Sequence, residues 1–548
     1  MISMREYQKP EIVLYNACIA SGNIHNPIIA TADALAIRQG RIVALGSSIE
    51  ILRLAGISTE RIDLGGRLIV PGFIDSHIHF YEWALKRRDL QLNDLGSLEE
   101  LLARIEQTAQ ALAPGQWIMG QGWNETEWKI PQQPDRLSLD KVAPDHPVLL
   151  WRCDLHLAVA NSAALRLAGI DSSTPDPPEG KIERDIAGEP TGILRELAIN
   201  MVRRAIAVPE TNQVVDDFKD GIGALHRLGI TGIHDIRLMD DSDGARSFQC
   251  FQKLEQDNFL DLRCWMSLPG HQLDDIIGLG LRSGFGSDRL QIGHVKFFSD
   301  GGMGARTAWM IEPYLDAEHG MPLMDMELLA KDIEKADQAG LSVMVHAIGD
   351  RANRELINIF ENLESRRSKT SASTSPPFRH RIEHVQMIRP EDMKRIGKLN
   401  LALCVTPVNM ILDINLIDSV VGEKGKWTYA FRQLMDTGAP VMFSSDCPVC
   451  NPDPLPAIHA AVTRQRFDGT PQSGWHPESR VSVAEALNAY TSIPAAVHNA
   501  TDMGTIAPGY RADLAVLNRN IFSGPPSTIS ETKVEMTLFD GRIVHRLF

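Results

Sequence analysis

The stretch Pro71-Gly72-Phe73-Ile74-Asp75-Ser76-His77-Ile78-His79 joins an apolar run to two histidines at its end. Side chains alternate along a β-strand, so the imidazoles of His77 and His79 point to the same side of such a strand. Two neutral imidazoles at the end of a strand suit Zn²⁺ or a similar divalent ion. Because two histidines one residue apart are common, the pair predicts a metal site only if other strands supply further ligands.

Apolar strand-like segments recur along the chain and alternate with helix-like stretches, which is the pattern of a parallel α/β fold. Eight such segments predict a TIM (β/α)8-type barrel, and they are Leu68–Ile74, Gly232–Asp235, Leu262–Met266, Ile292–Phe298, Ser342–His346, Arg381–Val385, Leu401–Val405 and Val441–Asp446. The sequence therefore predicts the α/β class, with the first of these strands ending in the histidine pair.

Both ends of the chain consist of short strand-like segments separated by turn residues. We expect residues 1–70 and 500–548 to form one small β-sandwich domain, with the barrel over residues 71–499. About 150 residues separate the first two predicted barrel strands, far more than a barrel loop contains. We therefore expect an inserted subdomain at about residues 82–212, which emerges at the catalytic face and forms a wall of the substrate pocket.

The composition is that of a soluble globular protein, with 43% hydrophobic residues and a net charge of −15 over 548 residues. The negative charge argues against a nucleic-acid partner, which calls for a basic face. The sequence shows no secretory signal and no apolar run of about 18 residues, so we expect a cytoplasmic protein without a membrane span. Seven cysteines are too few for a disulfide framework. Cys447 and Cys450 are read as packed thiols or, alternatively, as a redox pair.

The ends of the other predicted strands carry further candidate ligands. Catalytic groups of barrel enzymes lie at the carboxyl ends of the strands. A single buried histidine on a strand is more often a core residue than a ligand, but four histidines and an aspartate near strand ends are hard to explain as core packing. With a lysine on strand four, the candidates are His77, His79, Lys296, His346, His384 and Asp446. The sequence therefore predicts a metal-dependent enzyme.

These motifs resemble the amidohydrolase superfamily, and within it the branch called amidohydrolase family 3, which includes N-substituted formamide deformylases. The stretch 71–79 is similar to the first-strand signature of the superfamily. Further similar stretches lie at 295–308, 346–350, 381–384, 444–449, 489–492 and 504–514. The resemblance extends over about residues 10 to 545, and it implies the same barrel in a metal-dependent hydrolase.

The resemblance implies a site with two divalent metal ions, for which zinc is the expected element. The more buried ion would be bound by His77, His79 and Asp446. The second ion would be bound by His346 and His384. Lys296 would be carboxylated by CO₂ and bridge the two ions, because a carbamate offers one oxygen to each, whereas an ammonium would repel both. The alternative is an unmodified Lys296 in a salt bridge beside a single metal ion.

The resemblance also implies the reaction. Asp446 would take a proton from the attacking water and pass it to the leaving nitrogen. We therefore predict hydrolysis of a carbon–nitrogen bond other than a peptide bond, in a small amide, N-formyl or N-acyl compound. Ester or lactone hydrolysis uses the same chemistry and stays open. Hydrolytic deamination is the other alternative, although related deaminases carry a Glu near strand five and here His346 is followed by Ala-Ile-Gly-Asp-Arg. A homodimer is an expectation from the family alone.

Two further residues are candidates for contact with the substrate, His156 in the insertion and Asn409 after strand seven. His156 lies in a stretch similar to one that related inserted segments often carry, and it either faces the substrate or has an ordinary packing role. Near Asn409, relatives often show a Gln-Pro-x-His-like stretch, whereas this chain has Thr406-Pro407-Val408-Asn409, so any substrate contact there has changed. The stretch Glu189 to Glu196 also follows the family, and we predict a structural role for it.

Overall fold

The computed structural model describes residues 9–22, 27–29, 31–153, 155–178, 180–207, 210–239, 243–367 and 376–548. Its strands form four sheets in this part of the chain, one of which is the predicted barrel. Among the same residues, no helix has the length and apolar character that crossing a membrane requires.

Eight parallel strands of the described chain form one sheet in sequence order, which confirms the predicted barrel. We label them β1 Phe73–Ile78, β2 Ile230–Asp235, β3 Arg263–Pro269, β4 Leu290–Phe298, β5 Ser342–Ala347, β6 His380–His384, β7 Leu401–Val405 and β8 Val441–Phe443. The first and last strands approach each other, since Ile78 forms a parallel bridge with Cys447 and the N–H of His79 donates to the Cys447 carbonyl at 2.8 Å. The sheet is therefore nearly closed.

Amphipathic helices cover the outside of the barrel. In Met326–Gln338 the buried side chains Leu329, Ile333 and Ala336 recur every three or four residues, so one face of the helix packs inward. Asp325 caps this helix by accepting hydrogen bonds from two backbone N–H groups of its first turn. The other helices of the barrel part are Phe80–Lys86, Thr211–Arg227, Gly244–Gln256, Leu273–Gly278, Asp350–Arg367, Pro390–Ile396, Pro407–Val420, Phe431–Asp436, Pro454–Thr463, Val483–Ala489 and Ser492–Val497.

The first barrel strand begins later than the sequence predicted. The predicted strand Leu68–Ile74 is divided, because Leu68–Pro71 pairs with Leu514–Leu517 in a different sheet and β1 begins only at Phe73. Both pieces are buried on both faces, so an uninterrupted apolar run is compatible with either sheet. Hydrophobicity alone therefore does not reveal the boundary.

Gly72 marks the passage from one sheet to the other. Its N–H donates to the Asp513 carbonyl at 2.8 Å. A Cβ at this position would lie 2.2 Å from Oγ1 of Thr231, which is closer than two such atoms can approach. The absence of a side chain at Gly72 is what lets the chain pass this close to β2.

The two ends of the chain meet in two small sheets with a shared core. One sheet contains Arg41–Gly46, Ala34–Arg38, Ile12–Tyr15 and Glu60–Asp63, with the helix Ser48–Leu52 beside it. The other contains Cys18–Ile19, Leu68–Pro71, Leu514–Leu517, Val534–Phe539 and Arg542–Arg546. Their common core includes Leu14, Leu35, Leu514 and Leu538. Strands from both ends thus share one sheet, while the domain boundaries at residues 70 and 500 stay predictions.

A further sheet lies between β1 and β2 in sequence. In the described residues it has six strands, in the order Gly180–Arg184, Pro190–Glu196, Leu157–Ala160, Val148–Arg152, Ile118–Trp123 and Leu90–Gln91. Its helices are Leu98–Ala111, Arg136–Val142, Ser162–Leu167 and Ile199–Arg203. Separate apolar clusters lie around Leu150 and Leu149, on opposite faces of the sheet. We call this part the insertion, and its limits at about residues 82 and 212 stay predictions.

Candidate metal centre

The six predicted ligands lie together at the carboxyl-terminal end of the barrel and line one cleft. Their positions are His77 on β1, His79 directly after it, Lys296 on β4, His346 on β5, His384 on β6 and Asp446 shortly after β8. The five other than His79 are less than a tenth exposed. They converge because parallel strands of one barrel all end at the same face.

His77, His79 and Asp446 form one group of three. Nε2 of His77 and Nε2 of His79 lie 3.4 and 3.3 Å from Oδ1 of Asp446. One ligand atom of each residue lies within 4.8 Å of the others, a spacing at which the three could hold one ion. The Nδ1 atoms of the two rings face away from Asp446. Nδ1 of His77 lies 2.5 Å from Oε2 of Glu383, and Nδ1 of His79 lies 3.0 Å from the carbonyl oxygen of Ile236. Each Nε2 is therefore directed to the carboxylate of Asp446.

His346 and His384 lie beside this group on neighbouring strands. Their ring centroids are 4.5 Å apart, and the His384 ring lies 5.0 Å from that of His77. Nδ1 of His384 lies 3.9 Å from Oδ2 of Asp446. His384 and Asp446 have φ values of 69° and 55°. A left-handed backbone at such residues costs about 1–3 kcal/mol and clusters at functional sites. Here it turns both side chains toward the same point at the barrel end.

The ammonium group of Lys296 is buried, and its Nζ has no hydrogen-bond partner in the described structure. Nζ lies 4.6 Å from the centre of the Phe298 ring. Burial lowers the pKa of Lys296 to about 8, against the opposing effect of Glu383 and Asp446. An unpaired buried ammonium is costly. The donor set fits divalent ions, because it contains four imidazoles and a carboxylate. Carboxylation of Lys296 would add two oxygen donors to this set.

Glu383 and Arg381 form a charged pair on β6, and neither was among the candidate site residues predicted from the sequence. Both are fully buried, and Arg381 donates from Nε and from a terminal nitrogen to the two carboxylate oxygens at 2.8 and 2.9 Å. Burial raises the pKa of Glu383, but Arg381 and His77 outweigh this effect and hold it well below its usual range. The carboxylate is therefore anionic, and it fixes the His77 ring in the way that carboxylates orient metal-binding histidines.

Burial also sets the protonation of the candidate ligands. It lowers the pKa of His77 to about 3 and that of His384 to about 4. Burial and the neighbouring His384 place the pKa of His346 well below its ordinary value. For Asp446, burial raises the pKa, but the imidazoles of His77 and His79 outweigh it and the pKa lies below its ordinary value. Neutral imidazoles and an anionic carboxylate are the forms that bind divalent cations.

The cleft above the cluster lies between the barrel and the insertion and has two halves. The first half contains the six candidate ligands with Lys86 and Trp151, and the second extends past Asn409 on the helix after β7. His156 lines both halves, with its side chain 29% exposed. Oδ1 of Asn409 accepts a hydrogen bond from Sγ of Cys450 at 3.1 Å. Both residues thus line the cleft, and their contact with a substrate stays a prediction.

Cys447 and Cys450 lie next to Asp446 and are buried free thiols. Burial raises the pKa of each thiol well above its ordinary value. A thiol is nucleophilic and redox-active as the thiolate, and the raised pKa disfavours that form in both residues. Of the two readings of this pair, packed thiols fit the structure better.

The sequence pattern of the amidohydrolase family matches residues 60–545. The chain belongs to the amidohydrolase family. Protein LONG AFTER FAR-RED 3 of Arabidopsis thaliana is 31% identical to it, over 94% of this chain and 90% of its own length. N-substituted formamide deformylase of Arthrobacter pascens is 27% identical, over 97% of this chain and 98% of its own length.

The fold is also similar to that of a solved metal-dependent hydrolase. The crystal structure of an uncharacterized metal-dependent hydrolase from Pyrococcus horikoshii OT3 has a TM-score of 0.74 and 29% identity, covering 94% of this chain and 99% of that chain. The family match and this likeness make the protein a metal-dependent amidohydrolase, an enzyme that acts on carbon–nitrogen bonds. The predicted class of enzyme is thereby confirmed.

Proposed function

We propose that this amidohydrolase cleaves the carbon–nitrogen bond of a small N-formyl or N-acyl amide at a centre with two zinc ions. The residues that would hold the ions are His77, His79 and Asp446 for one, and His346 and His384 for the other, with carboxylated Lys296 between them. Bound divalent ions would lower the pKa of a water molecule and polarise the scissile carbonyl. The protein would supply the orientation of the substrate and the movement of protons.

The observation that carries this proposal is the buried Nζ of Lys296, which has no hydrogen-bond acceptor in the described structure. In its neutral form the amine can attack CO₂, forming an N–C bond and releasing one proton to give a carbamate. The product is an anion with two oxygen ligands in place of a cation that would repel metal ions. Carboxylation would therefore remove an unpaired ammonium and complete the ligand set in one step.

Asp446 is the residue that we assign to proton transfer from the attacking water. Its carboxylate lies 3.4 and 3.3 Å from the imidazole nitrogens of His77 and His79 and also lines the cleft that admits the substrate. Glu383 keeps the His77 ring fixed behind it. A base acts efficiently when it is held within hydrogen-bond reach of the proton it takes, and these contacts supply that rigidity.

The substrate class rests on the relative from Arthrobacter pascens, whose name describes an N-substituted formamide deformylase. That activity is the hydrolysis of an amide with a formyl group on nitrogen. The present chain is similar to it over nearly its whole length. N-substituted formamides are therefore the first class to test, followed by amides with larger acyl groups.

The proposal is tested by elemental analysis of the purified enzyme together with a substrate screen of N-formyl, N-acyl and cyclic amides, esters and lactones. We expect two zinc ions per chain, a carbamate carbon signal in ¹³C NMR after growth with labelled bicarbonate, and turnover of N-formyl or N-acyl amides. In His77→Ala and Asp446→Asn we expect kcat/KM to fall about 10²–10⁴-fold. Glu391→Gln, at an exposed carboxylate paired with Arg354, is the control.

Full activity in either His77→Ala or Asp446→Asn would contradict the assignment of the site. One ion per chain with an unmodified Lys296 would overturn the bridging carbamate. Turnover restricted to esters or lactones, or the release of ammonia from an amino-substituted ring, would replace the proposed reaction by one of its alternatives.

A further inference from the structure

His156 lies where the two halves of the cleft meet. The residues that line both halves are His156, His346, His384, Asp446 and Val449. Three of them are candidate metal ligands, Val449 is apolar, and His156 comes from the insertion. Since His346, His384 and Asp446 line this junction, an amide whose carbonyl carbon reacts at the metal centre would have its scissile bond near it. His156 would then lie on the insertion side of that bond.

The carboxylate of Glu196 contacts the Nδ1 atom of the His156 ring and fixes its orientation. Nδ1 of His156 lies 2.8 Å from Oε2 of Glu196. His156 immediately precedes the strand Leu157–Ala160, and Glu196 ends the neighbouring antiparallel strand Pro190–Glu196. The N–H of Glu196 donates to the carbonyl of His156 at 3.0 Å, which keeps the two residues side by side. A carboxylate against Nδ1 accepts that N–H and stabilises the imidazolium, so the ring presents Nε2 as its proton-donating atom.

The backbone around this pair is strained. Leu155 has a φ of 61° and Glu196 a φ of 49°, both in the left-handed region. For residues with a side chain, this conformation costs about 1–3 kcal/mol and persists only where the surroundings enforce it. Here one strained residue precedes His156 and the other is its partner. The strain is located at the two turns that aim the pair into the cleft.

The barrel contacts the same pair through the loop after β4. Oγ1 of Thr307 donates to Oε1 of Glu196 at 3.4 Å, and the N–H of Gly302 donates to Oγ1 of Thr307 at 3.0 Å. A Cβ at Gly302 would lie 3.1 Å from Nε2 of His156, so this edge of the ring faces the barrel loop closely. The position of His156 is therefore defined from both sides of the cleft.

We propose that His156 is the general acid of the reaction and that Glu196 is its positioning residue. This inference rests on the amide hydrolysis proposed above. Water adds to the carbonyl carbon and gives one proton to Asp446. When the C–N bond breaks, its electron pair stays on nitrogen and takes the proton from Nε2 of His156. The product acid and amine then leave, and His156 regains its proton from solvent as Asp446 loses its own. Asp446 thus takes the proton of the water, and His156 replaces it in protonating the leaving nitrogen, the second role that the family resemblance implied for Asp446.

Other ionisable groups of the cleft are held in different roles. Nζ of Lys86 is paired with Oε1 of Glu82 at 2.8 Å and lies 4.0 Å from the centre of the Trp151 ring. The carboxylate of Asp300 accepts backbone N–H groups from three residues, at 2.8 to 3.0 Å. Neither lines the second half of the cleft. Among the junction residues that are not candidate metal ligands, His156 is the one with a proton-carrying side chain.

The test is the dependence of kcat/KM on the leaving group. The substrates are a series of anilides with the acyl group found in the screen, from methoxy- to nitro-substituted anilines, together with an N-alkyl amide. In His156→Gln and Glu196→Gln we expect kcat/KM for the N-alkyl amide to fall on the order of 100-fold, with a much smaller loss for the nitroanilide. The slope against the leaving-group pKa should therefore become steeper in both variants, with unchanged metal content.

Glu183→Gln is the matched control, because Glu183 pairs with Arg195 at 2.6 Å on the same sheet but does not line the cleft. It should keep the wild-type slope. A uniform loss across all leaving groups, or wild-type rates in His156→Gln, would overturn the role of His156 while leaving amide hydrolysis intact. A wild-type enzyme that cleaves no amide at all would overturn both proposals, since there would be no leaving nitrogen to protonate.

Discussion

In two histidines of the cleft, a carboxylate contacts Nδ1 of the ring. Glu383 makes this contact with His77, and Glu196 makes it with His156. Such a carboxylate selects which ring nitrogen faces the reaction. The partners are 306 and 40 residues apart in sequence. The candidate ligands could be predicted to converge, because they lie near the ends of barrel strands and such strands can be recognised from local sequence patterns. Partners that meet only across the folded barrel or sheet leave no local pattern, and the predicted structural role of Glu196 overlooked its contact with His156.

For Glu383→Gln we expect affinity for zinc to fall about 10–100-fold, because the amide still accepts from His77 but no longer carries the charge that orients the ring and raises its basicity. The measurement is competition for zinc against a chromogenic chelator. Glu391→Gln serves again as the control at an exposed carboxylate. Equal zinc affinity in Glu383→Gln and the wild type would show that the contact is not part of the metal site.

At the scale of elements, the barrel strands were predictable because they are short apolar runs buried on both faces. Leu401–Val405 has the predicted bounds, whereas the run Val441–Asp446 was predicted as one strand and β8 ends at Phe443. Asp446 has a φ of 55°, so the chain has already left the strand when it reaches the site. Asp is enriched among the non-glycine residues of this region, but most Asp residues are not left-handed, so the residue type alone does not mark the end of the strand.

The passage at Gly72 makes an element-scale prediction. In Gly72→Ala the new Cβ would meet Thr231 at 2.2 Å, so β1 and β2 would have to separate or shift. We expect a loss of about 1–3 kcal/mol in the free energy of unfolding, as for other overpacked sites. Urea titration measures it. Gly278→Ala is the control, since it ends a helix with no heavy atom within 4 Å of the added Cβ. An unchanged midpoint for Gly72→Ala would refute the proposed close passage.

At the scale of the whole molecule, His234 of β2, His294 of β4 and His498 form a second group of buried histidines. The ring of His498 lies 4.0 Å from that of His234 and 5.2 Å from that of His294. Burial lowers the pKa of His294 to about 3 and places those of His234 and His498 well below their ordinary value. His234 also contacts Arg381 through Nδ1 at 2.5 Å. Burial therefore favours the neutral form of all three rings.

This preference predicts how the stability of the metal-free protein depends on pH. In the unfolded chain these histidines take up protons near a pH of about 6.5, whereas in the folded state they remain neutral to much lower pH. The contribution of these neutral histidines to the free energy of unfolding is therefore fully present above a pH of about 6.5 and is lost as the pH falls toward 3. Below a pH of about 6.5, each histidine that stays neutral in the folded state adds about 1.4 kcal/mol per pH unit to the slope of the free energy of unfolding against pH. Urea unfolding of His294→Gln between pH 7.5 and 5 should show a shallower slope than the wild type.

His271→Gln is the matched control for that slope, because the side chain of His271 is exposed on the surface. Equal slopes for His294→Gln and the wild type would mean that the protonation of His294 is not linked to folding in this range. A slope that changes equally in His271→Gln would point to the unfolded chain rather than to the barrel interior.

The sheet shared by the two ends of the chain has a consequence for biosynthesis. Leu68–Pro71 has Cys18–Ile19 on one side and Leu514–Leu517 on the other. On the ribosome, this strand is made early, and its second partner emerges only after more than four hundred further residues have been translated. Until then one edge of a buried apolar strand stays open, the kind of surface that pairs with other chains. The pairing of Leu514–Leu517 with Leu68–Pro71 therefore closes an edge that is open to association with other chains until it forms.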